Sequence, residues 1–162
     1  MRLARLVNVL FVCLGNICRS PSAEGMFRHL LDSTGLAGRV GVDSAGTGTW
    51  HIGKPPDRRA QSAMRMRGLD ISNLKARQAV TGDFSRFDYV LAMDRSNHAD
   101  LATLCPPGEA HRLGLFLDFT PGLEGRDVPD PYYGSGRDFD RMLDTIELGA
   151  RGLLDHIRLT RL

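Results

Sequence analysis

Apolar residues form strand-like patterns in four short stretches of the chain, each rich in β-branched or aromatic side chains. The first, 6–12, is a nearly continuous apolar run that ends close to a glycine, which is typical of a strand buried on both faces of a parallel sheet. Residues 39–45, 87–93 and 112–119 predict three further strands.

Helical periodicity separates these strands. Residues 20–35 place a proline in the first turn, apolar residues at helical spacing and a glycine at the end. Residues 57–68 and 94–104 predict two further helices. A glycine- and proline-rich loop, 120–136, precedes a final amphipathic helix. Its apolar stripe consists of Phe139, Met142, Leu143, Ile146, Leu153, Leu154 and Ile157.

Strands that alternate with helices predict right-handed crossovers and an open parallel sheet. A chain of 162 residues has the typical size of one domain. The sequence therefore predicts one α/β domain over residues 1–162, a doubly wound three-layer sandwich with a central four-stranded parallel sheet flanked by helices. Ligands of such sheets bind at the carboxyl ends of the strands, near a topological switch point.

Charge and hydropathy limit the classes of partner. The 21 basic and 19 acidic residues are mixed along the chain and give a net charge of +2. Nucleic acid and a membrane surface are therefore not expected as partners. The basic start and the apolar run that follows are similar to a secretory signal, but Asn8 interrupts the run and no small-residue cleavage site follows it. An odd number of cysteines, three, predicts reduced thiols. We expect a cytoplasmic protein.

The loop after the first predicted strand carries the candidate chemistry. Its residues 13–20, CLGNICRS, join a buried strand to a helix N-terminus. Inward-pointing backbone N–H groups and the helix dipole make such a loop a binding site for a phosphate-like dianion. Cys13 at its entrance would be stabilised as a thiolate and could act as a nucleophile. The planar guanidinium of Arg19 can bind two phosphoryl oxygens. Ser20 could donate to the sulfur, cap the following helix, or do both.

Residues 9–22, VLFVCLGNICRSPS, resemble the signature loop of the low-molecular-weight protein tyrosine phosphatases. Later segments resemble that family in the same order: 44–47 with Trp50, 76–78, 90–94 and 130–134. The resemblance covers most of the chain. It implies hydrolysis of protein tyrosine phosphate through a cysteinyl-phosphate intermediate on Cys13, with phosphoryl binding and transition-state stabilisation by Arg19. It implies no metal and no other cofactor.

A proton donor is needed to expel a poor leaving group, and Asp130 is the candidate. Pro129 and Pro131 stiffen the loop on either side of it. By resemblance, Asp130 is the general acid that protonates the leaving phenol and then the base that activates water. Its neighbour Asp127 is expected to be a solvated loop carboxylate.

The resemblance also assigns the surroundings of the phosphate. Substrate and phosphate binding fall to Leu14, Gly15, Asn16, Ile17, Cys18, Ser20, Trp50, Tyr132 and Tyr133. Aromatic walls of this kind suit phosphotyrosine better than the shorter phosphoserine. The expected partners are phosphotyrosine-containing proteins, and phosphate or other oxyanions in the site. If Tyr132 or Tyr133 is phosphorylated, a cognate tyrosine kinase is a further expected partner.

Loop support and redox chemistry are implied in the same way. In the family, an asparagine matching Asn16 and a serine matching Ser44 hold the phosphate loop in a strained shape. A histidine that often supports this asparagine is replaced by Leu74, so altered support is expected. The family forms a reversible disulfide between cysteines that match Cys13 and Cys18.

Three alternatives stay open. Arsenate reductases share the fold and the loop but need further cysteines in a flexible segment, where this chain offers only Cys105. A phosphocarrier would hold phosphate on a cysteine at a similar loop, with no use for Asp130 or an arginine clamp. A non-catalytic anion-binding module needs only the loop. The five histidines show no metal-ligand spacing.

Overall fold

The computed structural model describes residues 7–162, in which four parallel strands form one sheet. The strands are β1 (Val7–Cys13), β2 (Val40–Gly46), β3 (Tyr89–Ala92) and β4 (Leu113–Leu115). They lie in the order β2-β1-β3-β4, so β1 pairs with both β2 and β3. Residues 1–6, which include the signal-like start, lie outside the described residues. The strand predicted over 6–12 is therefore described only from Val7 onward.

Helices cover both faces of the sheet. They are α1 (Arg19–Ser33), α2 (Arg58–Met66), α3 (Asp83–Arg86), α4 (Arg95–Leu104) and α5 (Gly136–Thr160). Val9 and Phe11 of β1 belong to the larger apolar cluster, with α1, α2 and α5, whereas Leu10 and Val12 belong to the smaller one, with α3 and α4. This alternation is the period of two that a strand buried on both faces requires. The predicted doubly wound three-layer α/β sandwich is confirmed.

Several predicted boundaries are wrong. The strand expected over 112–119 ends at Leu115, because a 3-10 turn over Phe116–Phe119 buries Phe116 and Leu117 against the larger cluster. The strand expected over 87–93 is shortened to β3 at both ends. The short helix α3 was not predicted, since four residues are too few to show helical periodicity.

The remaining boundaries move by one or two residues. The helix expected to begin around Pro21 begins at Arg19, and Cys18 takes the position before it. The strand expected over 39–45 lies one residue further on, and the helix expected over 57–68 is shortened to α2, with Asp57 as its N-cap. The last helix follows a capping box of Ser135 and Asp138.

The sheet order creates a switch point beside β1. The chain passes from β1 to β2 on one side and returns to β3 on the other. Cys13 ends β1 and pairs with Gly46, the last residue of β2, while Asp94 comes just after β3. Three chain segments therefore leave the sheet at the edge where ligands of doubly wound folds bind.

Candidate active site

The loop between β1 and α1 is held in an unusual backbone conformation. Asn16 has φ 55°, in the left-handed region that asparagine tolerates better than most residues. The loop turns there, and the Asn16 N–H points back at Cys13 Sγ, 3.3 Å away. The thiol therefore lies inside the curve of the loop, at the N-terminus of α1, where the helix dipole is positive.

Two further groups determine the surroundings of the Cys13 sulfur. Ser20 Oγ lies 3.0 Å from it. Asn16 Nδ2 donates to the same oxygen at 2.7 Å, so the Ser20 hydroxyl hydrogen can point at the sulfur or at Ala45 O, 3.3 Å away. Ser20 is the second residue of α1 and Cys18 is its N-cap, so the predicted capping role of Ser20 is wrong.

The side chain of Asn16 connects the loop to strand β2 and to the segment that contains Arg77. Its Nδ2 also donates to Ser44 Oγ at 3.0 Å, and its Oδ1 accepts from the Arg77 backbone N–H at 3.0 Å. Leu74, at the place of the family's supporting histidine, packs against the apolar core. Backbone and serine groups therefore hold the amide of Asn16 on both sides.

The network ends in a carboxyl group that the sequence analysis missed. Glu24 of α1 is 3% exposed and accepts from Ser44 Oγ at 2.8 Å and from Arg28 Nε at 3.0 Å. Burial raises the pKa of Glu24 above its ordinary value, although the bonds from Ser44 and Arg28 act in the opposite direction. The loop is thus supported by a continuous chain of buried hydrogen bonds from Cys13 to Glu24.

The Arg19 guanidinium is held by two acceptors, a carboxylate that follows β3 and a backbone carbonyl in a later loop. Its Nη1 donates to Asp94 Oδ2 at 2.6 Å and to Val128 O at 3.0 Å. Asp94 also caps α4 by accepting from Asn97 N at 2.7 Å. Burial acts to lower the pKa of the Arg19 guanidinium, but Cys13, Asp94 and Asp130 outweigh it and raise that pKa. Arg19 is therefore a fixed cation whose Nη2 faces Asp130.

Asp130 lines the same cleft as the nucleophile loop. Its Oδ2 lies 3.5 Å from Arg19 Nη2, and its side chain is 42% exposed. The other oxygen accepts from the Tyr132 backbone N–H at 3.1 Å, which orients the carboxyl group. Asp127 is exposed and accepts instead from Arg95 N at 3.1 Å.

These groups border a cleft of about 390 Å³. Its lining consists of Cys13, Leu14, Gly15, Ile17, Cys18, Arg19, Trp50, His51, Asp130, Tyr132 and Tyr133. Most of the side chains selected from the sequence are thus brought together. Three of them, Asn16, Ser20 and Ser44, are buried and are not among the described residues that line the cleft. The side chain of Asn16 bonds to those of Ser20 and Ser44, so these groups support the loop.

The mouth of the cleft is aromatic and open to solvent. Tyr132 and Tyr133 pack edge to face with ring centroids 4.9 Å apart, and Arg59 lies 5.4 Å from the Tyr132 ring. Trp50 packs on the backbone of Gly48, where a Cβ atom would lie 2.0 Å from the indole. Glycine at 48 is therefore required for this position of Trp50.

Three residues of the site were not assigned from the sequence. Glu24 was missed because a carboxyl group in a helix is ordinarily solvated. Asp94 had a signal, since an acidic residue directly after a strand of a doubly wound sheet lies at the ligand-binding edge. His51 lies beside the loop, 3.0 Å from where a Gly15 Cβ would be; its position after Trp50 was the only signal.

The cysteines are reduced in the structure. Cys13, Cys18 and Cys105 are free thiols, and both Cys13 and Cys18 are buried. Burial, followed by the Asp57 carboxylate, raises the pKa of the Cys18 thiol far above its usual range. Cys18 is thus a neutral thiol within the nucleophile loop.

The described chain offers neither a metal-binding cluster nor a membrane-spanning helix. In residues 7–162, histidine, cysteine and carboxylate side chains do not gather in groups of three or more that could hold a metal ion. No helix in this same part of the chain is both long enough and apolar enough to cross a membrane.

A family model described as low molecular weight phosphotyrosine protein phosphatase matches residues 8–161. The chain belongs to this family. The low molecular weight protein-tyrosine-phosphatase YfkJ of Bacillus subtilis is 40% identical over 153 residues, which cover 94% of this chain and 97% of that protein. The enzyme class inferred from the sequence, a protein tyrosine phosphatase, is confirmed.

Solved structures of similar proteins agree with the fold. The crystal structure of YfkJ has a TM-score of 0.92 and 39% identity, with both chains covered completely. A protein tyrosine phosphatase from Entamoeba histolytica, crystallised with Hepes in the active site, has a TM-score of 0.91 and 35% identity and covers 96% of this chain and 99% of its own. Vibrio vulnificus Wzb in complex with benzylphosphonate has a TM-score of 0.81 and 27% identity, covering 93% and 99%.

Proposed function

We propose that this phosphatase hydrolyses protein tyrosine phosphate through a cysteinyl-phosphate intermediate on Cys13. Arg19 binds the phosphoryl group and stabilises the transition state, and Asp130 is first general acid and then general base. The observation that carries the proposal is that these three side chains border one cleft at the N-terminus of α1.

In the first step the Cys13 thiolate attacks phosphorus and the bond to the tyrosine oxygen breaks. The Asn16 N–H, the dipole of α1 and the Arg19 guanidinium supply positive potential where charge develops on the phosphoryl oxygens. Asp130 gives its proton to the leaving phenolate oxygen. Because Asp130 lies 3.5 Å from Arg19 Nη2, it can reach a leaving group above a phosphoryl group bound by that nitrogen.

In the second step water attacks the cysteinyl phosphate and Asp130 accepts a proton from it. The sulfur–phosphorus bond breaks and Cys13 leaves as a thiolate. Ser20 Oγ, 3.0 Å from the sulfur, stabilises this leaving group by donating its hydrogen. Inorganic phosphate is then released from the loop.

The substrate class follows from the shape of the cleft. The nucleophile is 3% exposed, at the bottom of a cleft of about 390 Å³ with walls that include Trp50, Tyr132 and Tyr133. A long aromatic phosphoester suits such a site better than a short aliphatic one. One similar protein holds Hepes in its active site and another was solved in complex with benzylphosphonate, which supports oxyanion binding by this chain.

Further parts of the proposal concern regulation and context. Peroxide would oxidise Cys13 to a sulfenic acid, and Cys18 would condense with it to a disulfide and release water. Both thiols line the same cleft.

Exposed Tyr133 is accessible to a tyrosine kinase. We also propose a cytoplasmic location, because a nucleophilic thiol needs a reducing compartment. The family match over residues 8–161 supports one phosphatase domain over residues 1–162.

The test is hydrolysis of p-nitrophenyl phosphate and of a phosphotyrosine peptide in the presence of EDTA. Wild type is compared with Cys13→Ser, Asp130→Ala and the control Cys105→Ser. We expect activity that survives chelation, disappears in Cys13→Ser and persists in Cys105→Ser. An active Cys13→Ser variant would contradict the mechanism. An inactive, folded and reduced wild type would contradict the function and favour arsenate reduction or phosphate carriage.

A further inference from the structure

A second cleft lies beside the active-site cleft. It has a volume of about 330 Å³ and is lined by Leu14, Thr47, Gly48, Trp50, Gln78, Asp100, Thr103 and Leu104. Leu14 and Trp50 also line the active-site cleft, so the two spaces share a wall. We call the second space the flanking cleft.

The flanking cleft combines an apolar wall with one negative charge. Trp50 is 67% exposed and Leu14 is 40% exposed. Asp100 is the charged residue of the lining, it is exposed, and it forms no ion pair with another side chain in residues 7–162. An aromatic face and a free carboxylate together favour a cation on a long aliphatic stem.

Backbone hydrogen bonds attach this cleft to the nucleophile loop. Thr47 N donates to Cys13 O at 2.9 Å, and Gly48 N donates to Leu14 O at 2.8 Å. Trp50 packs directly on Gly48. The flanking cleft therefore has a fixed position relative to the Cys13 sulfur, as a subsite for a residue next to the reacting one requires.

We propose that the flanking cleft binds a lysine or arginine side chain of the protein substrate, one or two residues from the phosphotyrosine, with Asp100 as its charge partner. This proposal rests on the proposed function, since phosphotyrosine must occupy the active-site cleft at the same time. An extended peptide advances about 3.3 Å per residue, so a long basic side chain at either position can reach across the Trp50 wall.

The test compares phosphotyrosine peptides that differ only in lysine, alanine or glutamate at one flanking position. An exposed ion pair contributes about 0.2–1 kcal/mol, so wild type should prefer lysine over alanine by up to about fivefold in kcat/KM. Asp100→Asn should remove the preference, and Asp100→Lys should reverse it toward glutamate. The preference of wild type should also decline in about 1 M salt, where the Debye length is near 3 Å.

A matched control separates a local contact from overall charge. Asp155 is an exposed aspartate of α5, on the opposite face of the sheet from α4, and Asp155→Lys changes the net charge equally. If Asp155→Lys alters the preference as much as Asp100→Lys, or if neither does, the inference is wrong. p-Nitrophenyl phosphate reports on the function itself: every variant should hydrolyse it at the wild-type rate, and an inactive wild type would overturn the proposed function instead.

Discussion

The floor and the mouth of the active-site cleft differ in exposure and in hydrogen bonding. On the floor, Asn16 and Ser20 are 3% and 0% exposed, and both belong to the continuous network that ends in Glu24. At the mouth, Trp50 and Tyr133 are 67% and 96% exposed. A buried polar network that is fully bonded selects one arrangement, whereas exposed rings can adjust to different ligands.

This difference indicates that the floor and the mouth have different roles in catalysis. The floor determines where the sulfur and the loop N–H groups lie, so its changes should affect kcat with every substrate. The mouth contacts the parts of a substrate that do not react, so its changes should affect peptides and leave small substrates alone. Asp130 stands between them, because it is partly exposed yet beside the buried Arg19.

The largest effect is expected at Asp130, which stands between the floor and the mouth and takes part in the chemistry. Asp130→Asn should lower kcat/KM for a phosphotyrosine peptide by about 10²- to 10⁴-fold, because a poor leaving group needs its proton. The loss should be smaller for p-nitrophenyl phosphate, whose leaving group is less basic. Asp127→Asn, on the same loop, is the control and should retain most activity. An equal loss with both substrates would contradict the role of a general acid.

A change to the floor should disturb the loop even when no polar side chain is removed. A Cβ atom at residue 46 would lie 2.8 Å from Leu14 O and 3.1 Å from Asn16 N. Gly46→Ala should therefore displace the loop, lower kcat by about 10- to 100-fold and lower the free energy of unfolding by about 1–3 kcal/mol. Gly38→Ala, where a Cβ meets no atom within 4 Å, is the matched control. Normal kcat in Gly46→Ala would show that the floor is not rigid.

Buried Glu24 should make the stability of the floor depend on pH. Its pKa is raised from an ordinary value of 4.5, so the folded state binds this proton more tightly than the unfolded state. The resulting stabilisation is complete below the ordinary pKa and is lost as pH rises through the raised pKa. Relative to Glu24→Gln, wild type should become more stable as pH falls from neutral toward about 5 in urea unfolding. The absence of this trend, or a trend of opposite sign, would contradict this account of Glu24.

The smallest effect is expected at the outer edge of the mouth. Tyr133 is almost fully exposed and packs only edge to face on Tyr132. Tyr133→Ala should change the free energy of unfolding by less than about 0.5 kcal/mol and lower kcat/KM for a peptide by less than about tenfold. Activity toward p-nitrophenyl phosphate should be unchanged, and Tyr133→Phe should match wild type. A large loss with p-nitrophenyl phosphate would place Tyr133 in the chemistry.

Local sequence patterns predicted the parts of the site that lie close together in the chain. Cys13 and Arg19 belong to one strand, loop and helix, and the strand and helix signals on either side placed them at the ligand-binding edge of the sheet. The partners of these residues lie far away in sequence. Asp94 follows another strand, and Glu24 is buried only because α1 packs against β2. Burial of a carboxyl group and meetings between distant segments depend on tertiary packing, which no local pattern contains.

The central claim is that Cys13 carries the phosphoryl group during turnover. Rapid acid quench of wild type with a phosphotyrosine peptide, followed by mass spectrometry of its fragments, tests this directly. We predict one added phosphoryl group on the fragment that contains Cys13, formed and lost at rates consistent with turnover, and none in Cys13→Ser. Turnover without a phosphorylated Cys13 fragment, or a phosphoryl group on another residue, would contradict the account.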